Sequence, residues 1–107
     1  MNEVIHIWQQ ESREVIPGYH GRFVHSKAMT HAYWEIESAA ELPEHAHHHE
    51  QVLNLIEGEF ELTVAGESMQ LKAGDLVVLH SNVPHSGRAI TKCKIIDVFS
   101  PARDDYR

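Results

Sequence analysis

Hydrophobic and polar residues alternate with a two-residue period along much of this chain. Phe60, Leu62 and Val64 alternate with Glu61 and Thr63, the signature of a strand with one face buried. Met69 and Leu71 resume the alternation after a turn at Ala65-Gly66-Glu67. Val4 to Trp8, Gly21 to His25, and Thr30 to Glu37 read as earlier strands. Leu42-Pro43-Glu44 leads into a histidine-rich segment that continues through Val52 to Ile56. After the turn Lys72 to Asp75, Leu76 to Leu79 forms a short, wholly apolar strand. Ser81 to Pro84 is a loop, and Lys94 to Phe99 is the last strand, ended by Pro101. No segment has helical amphipathic spacing. Short strands separated by regular turn signals predict an all-β sandwich or barrel.

The length of 107 residues predicts one domain spanning residues 1–107, with a barrel core at about 40–100. Residues 1–39 add strands to a sheet or to a dimer interface. They carry Ile5, Ile7, Trp8, Phe23, Tyr33 and Trp34, more apolar surface than one small barrel needs, so a homodimer is expected. Trp8 and Tyr106 suit either core or interface. The formal charge of −7 argues against nucleic acid and anionic membrane surfaces as partners. No apolar stretch is long enough to span a bilayer. The beginning, Met1-Asn-Glu-Val-Ile-His, lacks the basic-then-apolar pattern of a secretory signal, and Cys93 is the only cysteine. Both point to a reducing, cytoplasmic setting. Cys93 has no base beside it and reads as packing.

The richest chemistry lies in His45, His47 and Gln51, followed far along the chain by His85. The first three are odd-numbered, so one short strand and the residues leading into it can aim three donors to one side. Imidazole is the commonest metal ligand, and an oxygen donor completes mixed sites for first-row metals. His49 shares the parity and is expected to support the ligands or pack. His48 and Glu50 have the opposite parity and face out. His80, after the apolar strand, is a weaker candidate for lining a pocket.

These residues resemble the two motifs of the cupin superfamily. The first motif, written with Gly, His, His, Glu and Gly, is matched here by Ala39, His45, His47, Gln51 and Gly58. The second, with Gly, Pro, Gly, His and Asn, is matched by Gly74, His80, Asn82, His85 and Ala89. The ligand spacing survives every departure. The resemblance implies a double-stranded β-helix of the cupin type, a small jelly-roll barrel. It also implies one divalent transition metal, Mn, Fe, Co, Ni or Zn, on His45, His47, Gln51 and His85. The amide of Gln51 in place of a carboxylate leaves such a site at +2, which favours Lewis-acid chemistry on an anionic substrate over oxygen chemistry.

Asp97 is a carboxylate at a core-like position of a strand that reads as covered on both faces. It needs a partner or has a shifted pKa, and is a candidate acid or base. Arg103, just beyond Pro101, can fold over the barrel mouth and hold a carboxylate in bidentate fashion. The alternative is a structural ion pair between Asp97 and Arg103 or a lysine. The run Asp97 to Tyr106, with Leu42 to Gln51, is similar to the small cupins of pectin degradation. The resemblance implies catalytic roles for Asp97, Arg103 and Phe99. It implies action on 4,5-unsaturated uronate monosaccharides from pectin or alginate, opening and ketonising an anionic sugar acid in an isomerase-type reaction. A dioxygenase cupin and a non-catalytic sugar-binding cupin are the alternatives.

Overall fold

The computed structural model describes residues 3–107. Ten strands follow in order: β1 (Arg13–Ile16), β2 (Tyr19–His25), β3 (Thr30–Ile36), β4 (Glu41–His45), β5 (Glu50–Glu57), β6 (Glu59–Val64), β7 (Glu67–Lys72), β8 (Leu76–Leu79), β9 (His85–Ala89) and β10 (Cys93–Ser100). They form two antiparallel sheets, one ordered β1-β2-β3-β10-β5-β8 and the other β4-β9-β6-β7. Their inner faces make the core, with Phe60, Leu62 and Leu71 meeting Leu53, Leu55, Ile36 and Ile95. This is an all-β barrel, as the alternating pattern predicts, and of the jelly-roll type that the motif resemblance implies.

The period-two pattern is plainest in β3 and β10. Thr30, Ala32, Trp34 and Ile36 are buried, and so are Cys93, Ile95, Asp97 and Phe99, with half-buried residues between them. β10 runs between β3 and β5, and this sets Asp97 opposite Ala32 and Leu53. Ala32 is small, so the buried carboxylate has room on that side.

Two sequence expectations change. Val4 to Trp8 is not a strand; among the described residues this region holds only a short 3-10 turn, Ile7–Gln9, with Trp8 exposed. A three-residue turn with no buried residue has neither the length nor the packing to join the sheet. The apolar strand Leu76 to Leu79 is found as β8, at a sheet edge, where Leu76 and Val78 stand 56 % and 47 % exposed. The histidine segment is not one strand. β4 ends at His45 in the smaller sheet and β5 begins at Glu50 in the larger, so residues 46–49 cross between sheets. β9 and β1 carry too few apolar residues to be read from pattern. β9 exists because β4 and β6 pair with it on both sides.

Backbone conformation explains two motif departures. Ala39 and Asn82 occupy glycine positions of the motifs and both have positive φ, 71° and 64°. Asn tolerates that region through its short polar side chain, whereas Ala is strained there. Gly58 has φ 95°, and a Cβ would lie 2.3 Å from the Lys92 carbonyl, so only glycine fits this turn.

Candidate metal centre and its cavity

Three histidines converge from different elements. His45 ends β4 and lies opposite His85, which begins β9. His47 sits in the crossing segment, held by the loop between β8 and β9. The Asn82 N–H donates to the His47 carbonyl at 2.8 Å, and the Ser81 hydroxyl donates to the His48 carbonyl at 2.6 Å. One ring nitrogen of each of His45, His47 and His85 lies within 4.8 Å of the others.

Hydrogen bonds define which nitrogens face inward. Nδ1 of His45, His47 and His85 lies 3.0 Å from the carbonyl oxygens of Pro43, His49 and Val83 respectively. A carbonyl only accepts, so each Nδ1 carries a hydrogen, and in the neutral form of each ring Nε2 holds the free lone pair. Burial is the first cause that lowers the His47 pKa to about 4 and pushes His85 down as well, with the positive charge of Arg103 adding to both. Both rings are therefore neutral near pH 7.

Gln51 completes the set. Its Oε1 lies 3.1 Å from His47 Nε2. Its amide also acts to lower the pKa of the Asp97 carboxyl, as a donating NH₂ end does, which leaves Oε1 as the end that meets His47. A lone pair of His47 and a lone pair of Gln51 thus face one another, and His85 Nε2 is buried with no hydrogen-bond partner. Unpaired buried acceptors are costly, and several aimed at one point fit a cation. The residues present suit a divalent transition metal.

The larger sheet supplies the opposite wall. Asp97 is 8 % exposed. Trp34 Nε1 donates to its Oδ2 at 3.0 Å, while Oδ1 has no partner. Burial raises its pKa to about 7, against the opposing effects of Gln51, Trp34 and Arg103. Phe99 lies opposite Gln51 in the β5–β10 register and meets the His47 ring edge-on at 5.6 Å. Arg103 is buried, its backbone N–H donating to Thr30 Oγ1 at 2.7 Å. Its guanidinium pairs with Asp105 rather than with Asp97. A cavity of about 250 Å³ is lined by His45, His85, Gln51, Asp97, Phe99 and Arg103, with Tyr106 and the β1 residues Val15 and Ile16 closing it.

Other candidates lie apart. His49 is buried and packs 6.4 Å from Phe99, outside the convergent three. His48, Glu50 and His80 are exposed, and His80 does not line the cavity. The Cys93 thiol is buried against the Glu59 and Thr91 carbonyls at 3.1 and 3.2 Å, and burial pushes its pKa up. Sequence reasoning missed Trp34 as the Asp97 donor and Asp105 as the Arg103 partner. The first follows only from cross-strand register. The second had a faint signal in the spacing of the Arg103-Asp-Asp-Tyr106 run.

A two-sheet antiparallel barrel with three histidines and an amide converging inside it defines a class, and the chain belongs to it: residues 32–99 match the Cupin domain family. Full-length likeness narrows the comparison. The chain is similar to KdgF from Halomonas sp., at 25% identity and a TM-score of 0.94 over 100% of both chains. It is also similar to an RmlC-like cupin from Shewanella frigidimarina NCIMB 400, at 31% identity and a TM-score of 0.90, again over 100% of both. A salicylate 1,2-dioxygenase from Pseudaminobacter salicylatoxidans shares the fold at 20% identity and a TM-score of 0.77, over 80% of this chain and 27% of that one. No curated protein is a significant match. Among the described residues no helix is long and apolar enough to cross a membrane.

Proposed function

We propose that this chain is a metal-dependent enzyme that opens and ketonises 4,5-unsaturated uronate monosaccharides. One observation carries the reading. A single cavity of about 250 Å³ joins two imidazoles and an amide to a buried carboxyl and a guanidinium. The full-length likeness to KdgF and the resemblance of Asp97 to Tyr106 to the pectin-degradation cupins support it.

His45, His47 and His85 through Nε2, and Gln51 through Oε1, would hold the ion. Imidazole and amide ligands carry no formal charge, so a bound divalent ion would keep its +2 charge and would supply Lewis-acid stabilisation to substrate oxygens that gain negative charge. Arg103 binds the sugar carboxylate through paired N–H donors. Phe99 walls the sugar face. Asp97, with a free Oδ1 and a pKa of about 7, is poised both to take and to return a proton. It removes the anomeric hydroxyl proton, the bond from the anomeric carbon to the ring oxygen breaks, and an aldehyde and an enolate result. Returning that proton to the alkene carbon yields the ketone, so the net change is an isomerisation.

A cytoplasmic homodimer is part of the proposal. The exposed Ile5, Trp8, Ile56 and Leu76 support the second copy, and the single buried thiol Cys93 suits a reducing compartment. The test mixes metal-loaded protein with unsaturated galacturonate and follows loss of the alkene signal by NMR, beside a chelated sample. Acceleration that needs the metal supports the reading. A rate equal to spontaneous opening refutes it.

A further inference from the structure

Arg103 spends part of its donor set on a neighbour that the proposed reaction does not use. Its Nε donates to Asp105 Oδ1 at 3.0 Å and its Nη2 to Asp105 Oδ2 at 2.6 Å, a bidentate fork on one edge of the guanidinium. The plane is fixed twice more, 4.9 Å from the Phe99 ring and 4.3 Å from the Tyr106 ring. The backbone beneath is pinned by Thr30. Asp105 has a side chain 56 % exposed and is not part of the cavity wall, whereas Arg103 is. The occupied edge is thus the solvent-side one. A guanidinium has five N–H donors in a rigid plane. With Nε and one Nη2 hydrogen taken, the edge formed by Nη1 and the second Nη2 hydrogen remains, and it matches a planar carboxylate.

We infer that Asp105 is a positioning residue: it locks the Arg103 guanidinium so that its Nη1–Nη2 edge is presented to a carboxylate in the cavity. The inference rests on the uronate reading and deepens it. Arg103 reads the acid group, and Asp105 decides which edge does the reading. Without Asp105 the side chain rotates among orientations that waste the fork.

The test compares Asp105→Ala and Asp105→Asn with the metal-loaded wild type on unsaturated galacturonate and on its neutral methyl ester. Asp104→Asn is the control, because Asp104 pairs with Arg107 and removes the same charge without touching Arg103. The expected result is a rise in KM for the acid of about five- to tenfold in both Asp105 variants, on the scale of one lost ordinary hydrogen bond. Their kcat should stay within about twofold, their KM for the ester should not move, and Asp105→Glu should partly restore the acid KM. Asp104→Asn should change neither KM. An unchanged or lower KM for the acid overturns the inference, as does an equal rise for acid and ester, which would mark a merely structural tail. Wild type inactive on both substrates removes the uronate reading and this inference with it. That outcome differs from an active wild type matched by its Asp105 variants.

Discussion

Replacing Asp97 by Asn should make the metal-free protein gain stability relative to wild type as pH rises, while destroying activity. In the folded chain the carboxyl pKa is raised from 3.8 to about 7, chiefly by burial. Between those values the unfolded chain has lost the proton and the native one keeps it. Native protein then binds more protons than unfolded, so its stability falls as pH rises through that window and levels off above about 7. About three pH units at 1.36 kcal/mol each make a loss of about 4 kcal/mol. Asn carries no such penalty. Its new NH₂ group has no acceptor built for it, which costs about 1–3 kcal/mol at every pH. The pH dependence is therefore the cleaner signal. Urea unfolding of chelated wild type and Asp97→Asn, run from pH 4 to pH 8, should give a difference that moves by about 4 kcal/mol in favour of the variant. Subtracting the two curves cancels the many histidines. In the metal-loaded protein the gap should narrow, because a nearby dication favours the carboxylate. Turnover of unsaturated galacturonate by the variant should fall about 10²–10⁴-fold with metal content intact. A flat difference curve would refute the buried-carboxyl argument, and an active variant would leave Asp97 structural.

Further perturbations probe the rest of the site and scaffold. His85→Ala removes a buried Nε2 aimed at the ligand centre; metal per chain, measured by elemental analysis after dialysis, should fall from one to near zero, and retention of the ion would place the metal elsewhere. Gln51→Glu lowers the charge of a divalent site by one; competition titration should show tighter metal binding and NMR a slower uronate reaction, and no change in either would end the argument from the amide. Ala39→Gly relieves an alanine held at φ 71°; urea unfolding should show a gain of about 0.5–1 kcal/mol, the left-handed strain less the entropy of glycine. Light scattering should give twice the chain mass in solution, and Leu76→Lys should reduce it if the exposed sheet edge is the contact.

Much of the architecture was legible because strand structure is a local pattern. Phe60, Leu62 and Val64 declare their inner face within a few residues, and so do the alternating positions of β3 and β10. Glycine and proline mark turns for equally local reasons, and the histidine spacing survives its motif substitutions. Val4 to Trp8 misled because apolar residues signal burial without saying in which structure. β9 was silent because His-Ser-Gly-Arg-Ala has no alternation; its strand conformation comes from two neighbours distant in sequence.

The site divides in the same way. The sequence by itself determined which donors exist and how far apart along the chain they stand: His45, His47, Gln51 and His85, with Asp97, Phe99 and Arg103 on the final strand and just beyond it. Tertiary structure alone decided that the histidine segment splits between two sheets, so that His45 meets His85 across one while Gln51 meets Phe99 across the other. It decided that Trp34 hydrogen-bonds Asp97, and that the Arg103 guanidinium does not pair with that carboxylate. The physical reason is range. Side-chain alternation and turn preference act over a few residues, whereas cross-strand register and the meeting of charges depend on which distant strands close the barrel together.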